Sequence, residues 1–540
     1  MEIRNFLCIF SIVINHLSAM NNFNLHSQSK TGHKSRRVLN RASKRLFYSN
    51  SKASLHPPAM RALSEAPIAI VGGGIGGTTL ALALQKQGIP FRLFEKDVKF
   101  TARRQGYGLT LQQGIMPLRE LGFTNIVGGV VSTSHGSYLP NGDILGIYGH
   151  NVWDEKGQNG AVEKRKIESK ISQHGHDSND LSNHSVNPSC LQNRREYDQD
   201  TSDKNQLHSK TACSIDSSSQ SDTINRNEPN VISIVGKARH NVHLPRQRLR
   251  EMLLNEIDTS NILWNKKIVD YTDSCNGEKV TLHFSDDSIF QTSLLVAADG
   301  IHSVIRQIKL PEASLEYLGL IVILGITENL DSEMDMKHVR QWLDGTSRVF
   351  AMPFDGDKTM WQMSFPVEER EAVALSVDSR TLLDGAIARC GSWNTDLSRL
   401  LRSTDEALVS GHPVYDRAPL EAAILRGHPQ SRVTMIGDAV HPMSPFKGQG
   451  ANQAMLDATS LARAISDSDL VRSNRRNICE SLAFFETEML RRSSPKVLKS
   501  RKAATALHSS AALVVGNLTR AWVAGTADGS EVNNNNNIVA

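Results

Sequence analysis

Six residues, Gly72-Gly73-Gly74-Ile75-Gly76-Gly77, stand between the apolar run Pro67-Ile68-Ala69-Ile70-Val71 and the helix-forming stretch Thr78–Gln87. Pro67 fits the head of a strand, where no N–H is needed for the ladder. Gly88 stops the helix as a C′ residue would. A second strand, Phe91-Arg92-Leu93-Phe94, ends on Glu95. Gly72, Gly74 and Gly77 have GxGxxG spacing: the first permits a tight turn, the second lets backbone approach a pyrophosphate, and the third lets helix pack on strand. The helix start adds free N–H groups and partial positive charge. Glu95, about 20 residues on, is placed to accept ribose hydroxyls. Strand, turn, helix and acid together predict a dinucleotide site, and leave the kind of dinucleotide open.

The chain has 540 residues, enough for two or three domains, and a formal net charge of +5. No basic stripe with interleaved aromatics suggests a nucleic-acid partner. The six cysteines form no CxxC pair, so neither a disulfide framework nor a metal site is expected. The positive excess lies largely in residues 1–65, with Arg36, Arg37, Arg41, Lys44 and Arg45. Phe6–Ile14 has the length of a signal-peptide apolar core, and Asn21–Pro57 is Ser-, Asn- and Lys/Arg-rich like a transit peptide. The expectation is targeting to an organelle, plastid or mitochondrion. A plain unstructured tail on a cytoplasmic protein is the alternative. No run approaches the ~18 apolar residues of a membrane helix, which leaves room only for peripheral membrane contact.

Farther along, Glu155–Asn230 is polar, low in apolar periodicity and expected to be a disordered insertion. Its histidines His174, His176 and His184 lack a frame that would make them metal ligands. Val231–Val235 reads as a strand, and Arg246–Ile257 as an amphipathic helix through Leu249, Leu253, Leu254 and Ile257. Strands are expected at Lys279–Phe284, Ser293–Ala298, Arg348–Met352, Met360–Phe365 and Arg432–Ile436. Helices are expected at Asn452–Ser466 and Ile478–Ala506, the latter kinked or broken at Pro495. Tyr317, Trp342, Phe350 and Trp361 are candidates to line a substrate cavity, although aromatics at strand spacing also make plain core.

Three later segments narrow the dinucleotide. Leu294–Gly300 with Ser303 and Arg306 resembles the DG motif of the flavoprotein monooxygenases. Val433–Asp438, continued by Ala439, His441-Pro442 and Pro445-Phe446-Lys447-Gly448-Gln449-Gly450-Ala451-Asn452, resembles their GD motif and loop. Leu244–Arg250 is similar to their arginine-bearing helix start, and Ala102–Gly106 through Leu121-Gly122 to the segment after the ribose-binding acid. Over roughly residues 66–150 and 231–505 the chain resembles the single-component FAD-dependent aromatic hydroxylases, whose relatives include salicylate-type and tetracycline-inactivating monooxygenases and zeaxanthin epoxidase.

The resemblance implies an α/β fold: a Rossmann-like, three-layer FAD-binding domain, an interleaved mixed-sheet substrate domain and a C-terminal helical region. The implied division is a targeting or disordered segment 1–65, FAD-binding parts 66–135, 241–308 and 429–470, and substrate-domain parts 136–240 (with the insertion at about 155–230) and 309–428. A helical region 471–510 and a tail 511–540 follow. The implied FAD contacts are Gly72, Gly74, Ile75, Gly76 and Gly77 at the phosphate turn, with Glu95 on the ribose. Arg103 (or Arg104) and Arg246 lie near the cofactor, and Asp299 has a binding or supporting role. Gly437 and Asp438 face the ribityl chain, and Pro445, Gly448, Gly450, Ala451 and Asn452 lie beside the isoalloxazine. A glycine loop opening a helix there would offer N–H groups to the negative charge of reduced flavin. His441 is read as an orienting residue rather than a base, since a flavin hydroperoxide delivers the oxygen without one. The implied reaction uses NAD(P)H and O₂ to hydroxylate or epoxidise a small aromatic or isoprenoid-like substrate. The alternatives are an FAD-dependent reductase or dehydrogenase and a catalytically silent flavin-fold binding protein.

Overall fold

The computed structural model describes residues 66–102, 107–132, 134–148, 231–235, 241–274, 279–328, 338–355, 358–472 and 475–514. The expected targeting segment, the polar insertion with its histidines, Arg103, Arg104 and most of the 511–540 tail lie outside them.

The strand Ile68–Val71 is buried at every position. It is the centre of a five-stranded sheet in the order Ile262–Leu263, Phe91–Phe94, Ile68–Val71, Leu295–Ala297, Val433–Met435. Every pairing in it is parallel. Parallel strands covered on both faces need continuous apolar runs rather than alternation, which IAIV and LVA supply. The helices Ile75–Lys86, Arg246–Leu254 and Gly450–Ser466 pack together over one face. An antiparallel meander, Ile268–Asp273, Val280–Phe284 and Ile289–Thr292, covers the other, where Phe94 meets the rings of Phe284 and Phe290 with centroids 4.9 Å away in each case. This is a three-layer α/β arrangement.

The first helix opens at Ile75, three residues before the apolar pattern announces it. Gly76 and Gly77 are poor helix formers, so the sequence hides a first helical turn that is held by packing. Gly88 takes the expected left-handed conformation, φ 68°.

The second sheet has seven strands in the order Ser410–Asp416, Glu316–Glu328, Lys358–Pro366, Arg348–Pro353, His338–Leu343, Ser134–Tyr138, Ile144–Tyr148. It is mixed, since His338–Leu343 runs parallel to Ser134–Tyr138 while its other pairs are antiparallel. Side chains alternate between its faces. Ile321, Ile323, Val349, Ala351, Trp361 and Met363 go to one face, under the helices Glu369–Leu375, Ser379–Cys390 and Thr395–Arg402. Val322, Leu324, Arg348, Phe350, Met352, Met360 and Gln362 go to the other and line a cavity.

This register corrects three of the four aromatic candidates. Trp361 is fully buried on the helix side, its Nε1–H donates to Thr404 Oγ1 at 2.9 Å, and it lies opposite Gly325, where a Cβ would overlap the indole. Trp342 packs in the same cluster near Tyr138. Tyr317 packs on Tyr415 and donates its hydroxyl proton to Val367 O at 2.7 Å. Only Phe350 of the four faces the cavity. A period of two tells which residues share a face, and is silent on which face the ligand sees.

The helix Ile478–Leu507 runs through Pro495 without a break. Proline deletes one ladder bond, but Leu482, Phe485 and Met489 before it and Val497, Ala503 and Leu507 after it are all buried. Tertiary packing on both sides outweighs the lost bond. Among the described residues no helix is long and apolar enough to cross a membrane, and no group of three or more His, Cys, Asp or Glu is arranged to hold a metal.

Replacing Trp361 by Ala should cost about 3–5 kcal/mol of stability, the usual effect of an emptied aromatic core site. It should leave FAD content per folded molecule unchanged, as read by denaturant unfolding alongside flavin absorbance. Lost flavin at unchanged stability would place Trp361 on the cavity side instead.

Candidate cofactor and substrate site

The phosphate turn is fixed by backbone against backbone. Gly72, at φ 106°, runs so close under Ala298 that a Cβ would overlap its carbonyl oxygen, and a Cβ on Gly77 would overlap the carbonyl oxygen of Gly72. The protein's own atoms therefore require both glycines. Gly74 differs: its φ is −75°, and the nearest atom to a Cβ placed on it, Arg246 Nη2, would be 3.9 Å away. Among the described residues, nothing demands glycine there. The space that a Cβ would enter belongs to the cavity, where the expected pyrophosphate would press against backbone.

Gly74, Ile75 and Gly76 line that cavity, and so do Gly437, Asp438, Pro445, Gly448, Gly450 and Ala451 from the other end of the sequence. Two helix N-termini thus point into one space. The helices Ile75–Lys86 and Gly450–Ser466 both lack a side-chain cap and an acid in the first turn. Uncapped N–H groups and partial positive charge at both ends favour a ligand negative at two places, which fits a flavin dinucleotide with its pyrophosphate and its electron-rich pyrimidine edge.

Glu95 is buried beside the turn and outside the lining. Its Oε2 accepts from Gly73 N–H at 2.8 Å and its Oε1 from Asp97 N–H at 3.0 Å, and Arg250 Nη2 lies 3.6 Å from Oε2. Arg250, itself buried, donates Nε–H to Gly73 O at 2.6 Å. The acid and the turn are held as one unit. Arg246 lines the cavity with its guanidinium over the Tyr107 ring, 5.1 Å from the centroid. Burial pulls its pKa down, the Asp438 carboxylate opposes that, and Arg250 adds to it. Burial pushes Asp438 up, against Arg246 and His441. Asp299 lies just outside the lining formed by Ala298, Gly300 and Ile301. Its Oδ2 accepts from Val304 N–H at 3.0 Å, and burial raises its pKa.

Asn452 does something else. Its Oδ1 accepts from Gln112 N–H at 2.9 Å and Gly114 N–H at 2.8 Å, and its Nδ2 donates to Thr110 O and Gly448 O, both at 2.9 Å. Two lone pairs and two N–H groups are all an amide has. The side chain is consumed as a clamp between the segment Thr110–Gly114 and the glycine loop, and Asn452 itself does not line the cavity.

His441 sits behind the loop. Its Nε2 is 2.7 Å from Asp457 Oδ2, which also accepts from Gly437 N–H at 2.9 Å, while Asp457 Oδ1 pairs with Arg492. His441 and Asp457 are both buried. Burial opposes charge on the imidazole, but Asp457, with Asp438 adding, holds its pKa above the ordinary value.

Sequence reasoning missed Tyr107, His135, His243, Arg348, Gln362 and His412 as lining. Of these only Arg348 left a signal: it shares a strand face with Phe350 and Met352, a charge on an otherwise apolar stripe. Asp457 left a similar one, a carboxylate on the buried face of the helix Gly450–Ser466.

Two outcomes follow from this geometry. Gly74→Ala should leave the FAD-free protein as stable or up to ~1 kcal/mol more stable, while weakening FAD about tenfold or more in a fluorescence titration. Gly77→Ala should destabilise beyond the ~0.5–3 kcal/mol of an ordinary substitution. Equal effects of the two changes on folding and on FAD would remove the case for a phosphate at Gly74. For His441, a folded pKa above the unfolded ~6.5 means stabilisation that is full below that pH and lost as pH rises through the folded value. The stability gap between the parent protein and His441→Gln, measured by denaturant melts without FAD, should therefore be largest near pH 6 and shrink toward pH 9. A gap that does not change over that range would mean a neutral imidazole throughout.

A family model described as "FAD binding domain" matches residues 65–468. Aurachin C monooxygenase/isomerase of Stigmatella aurantiaca is 25% identical over 400 residues, 74% of this chain and 80% of its own length. The chloroplastic zeaxanthin epoxidase of Solanum lycopersicum is 29% identical over 219 residues, 41% of this chain and 31% of the epoxidase. Among solved structures, Klebsiella pneumoniae HpxO complexed with FAD and uric acid matches with a TM-score of 0.57 at 20% identity, covering 84% of this chain and 91% of that one, a likeness of fold. The match over residues 65–468, on a fold whose phosphate turn and glycine loop face one cavity, makes this chain a member of the FAD binding domain family and an FAD-dependent oxidoreductase of the monooxygenase type.

Proposed function

We propose that the protein uses NAD(P)H and O₂ to place one oxygen atom on a small organic molecule, aromatic or isoprenoid-like, by hydroxylation or epoxidation. NAD(P)H, a proton, O₂ and the substrate give NAD(P)⁺, water and the oxygenated product. The observation that carries this reading is one continuous cavity of about 1020 Å³ with two unlike ends. One end is the phosphate turn and the glycine loop. The other is the face of the seven-stranded sheet carrying Val322, Leu324, Phe350, Met352 and Met360. At the top of the ~300–1,000 Å³ range of ligand pockets, the volume suits a large ligand, and it is the two unlike ends that support a cofactor with a second molecule beside it.

In this reading the FAD-binding parts are 66–135, 241–308 and 429–470, and the substrate parts are 136–240 and 309–428. The turn Gly72–Gly77 and the start of the helix at Ile75 hold the pyrophosphate, and Glu95 takes the ribose. Arg246 and Asp438 bracket the middle of the cofactor with opposite charges. The N–H groups at Gly448, Gly450 and Ala451 face the ring, in a loop whose aim is set by Asn452. Bound FAD supplies the redox chemistry, between a nicotinamide reductant and O₂. The chain contributes position, fixed dipoles where negative charge develops, and an apolar wall that excludes water.

Purified protein should be yellow, and NADPH or NADH oxidation should accompany O₂ uptake and an oxygenated product from a panel of aromatic and isoprenoid compounds. The label of ¹⁸O₂ should appear in that product. Flavin reduced without any label in a product would favour the reductase or dehydrogenase, and colourless protein that takes up no FAD would favour the silent binding fold.

A further inference from the structure

We infer that Met352 is a site of self-oxidation, a thioether on the cavity wall that takes the oxygen of a turnover begun with no substrate in place. This rests on the monooxygenase reading above and goes beyond it by naming a modification of the chain itself. Among the described residues three methionines line the cavity, Met352, Met360 and Met443. Met352 and Met360 stand directly opposite each other on the neighbouring strands Arg348–Pro353 and Lys358–Pro366, and each is only 3% exposed. Their far ends converge on Gly108, where a Cβ would come within 2.7 Å of Met352 Cε and 3.5 Å of Met360 Sδ. Gly108 pairs with Pro245, next to Arg246, and follows Tyr107, whose ring lies under the Arg246 guanidinium. The two thioethers thus sit at the seam where the sheet wall meets the side of the cavity assigned to the cofactor.

The two sulfurs differ. Met360 Sδ accepts the Gly108 N–H at 2.9 Å, which occupies a lone pair, while among the described residues no donor reaches the sulfur of Met352. A thioether is oxidised by giving a lone pair to oxygen, so Met352 is the readier of the pair. Bulk solvent hardly reaches it, and an oxidant formed inside the cavity is the one that can find it. The chemistry balances: the thioether, O₂, NAD(P)H and a proton give the sulfoxide, NAD(P)⁺ and water. One S–O bond forms, the O–O bond breaks, and O₂ takes one electron pair from NAD(P)H and one from sulfur. The second oxygen atom leaves as water. A sulfoxide puts a polar oxygen beside Val322, Leu324 and Phe350, which lowers the grip of that wall on an apolar ligand. Methionine also fills irregular gaps in cores with no redox role. Met363, fully buried on the opposite face of the same sheet, is that case and serves as the internal control.

The test incubates FAD-loaded protein with NADPH and ¹⁸O₂, with catalase and without any organic substrate, and reads methionine oxidation by peptide mass spectrometry. Trypsin releases Met352 as the sole methionine of the fragment 349–358. Its sulfoxide should grow with the NADPH consumed and carry ¹⁸O. It should exceed the sulfoxide of Met116, which is 63% exposed, by about tenfold or more. Met360 should oxidise more slowly and Met363 not at all. Dilute H₂O₂ added to protein without NADPH should reverse the order, with Met116 first, and FAD-free protein given NADPH and O₂ should leave Met352 unmodified. Met352 oxidised no more than Met116, a sulfoxide without the label, or one that forms only when catalase is left out would each overturn the assignment. So would O₂ uptake that leaves Met352 unchanged. NADPH-dependent O₂ uptake is followed on the same samples. Its absence would count against the monooxygenase reading and remove this site with it, whereas uptake with an intact Met352 would remove the site alone.

Discussion

One buried carboxylate, Asp457, holds the working end of the molecule together. It accepts from the Gly437 N–H, from His441 and from Arg492, and these donors come from a turn, a loop and the long C-terminal helix. A bare carboxylate at that depth would be costly. Three donors, one of them a guanidinium, remove the penalty, and they do so only when all three segments are in place. The aim of Asp438 into the cavity thus depends on a residue 19 positions later that never reaches the cavity. The same logic recurs at Asn452, whose four hydrogen bonds tie Gly448 of the glycine loop to Thr110, Gln112 and Gly114.

These two residues mark the limit of what the sequence shows. The phosphate turn was legible because everything it needs is local: a buried strand, three glycines at fixed spacing and an acid after the next strand. The glycine loop was legible by resemblance to a known motif. The clamp was not, because its partners are about 340 residues away and no periodicity links them. The substrate wall failed for a different reason. Alternation correctly grouped side chains along each strand, but the choice of face is made by the three helices that cover Trp361 and Trp342. The helix runs on through Pro495 rather than breaking there because, buried on both sides of the proline, it is held by its neighbours as well as by its own ladder.

The charges of the cavity follow from these restraints. Arg246 and Asp438 shift each other toward their charged forms while burial works against both. A ligand that carries its own charge therefore enters a site already balanced near its middle and positive at its helical ends. Such balance suits a dianionic pyrophosphate at one helix and developing negative charge at the other.

The far wall is sealed by the C-terminal helix, and a histidine makes the seal insensitive to pH. Burial pulls the pKa of His508 down to about 4, with Arg348 adding against the hydrogen bond to Ala504. The ring is then neutral at any ordinary pH. Its Nδ1, 2.7 Å from Ala504 O, must carry the proton, so Nε2 accepts from Ser364 Oγ at 2.8 Å. That fixes the tautomer and joins the helix end to the seven-stranded sheet, while the ring packs edge-on against Phe446 with centroids 5.2 Å apart. About two turns earlier, Ser500 and Ser444 exchange hydrogen bonds, each hydroxyl donating to the other's carbonyl, at 2.7 and 3.0 Å. Both links converge on the loop Ser444–Lys447, so the segment beside the flavin end of the cavity is buttressed from behind by neutral groups.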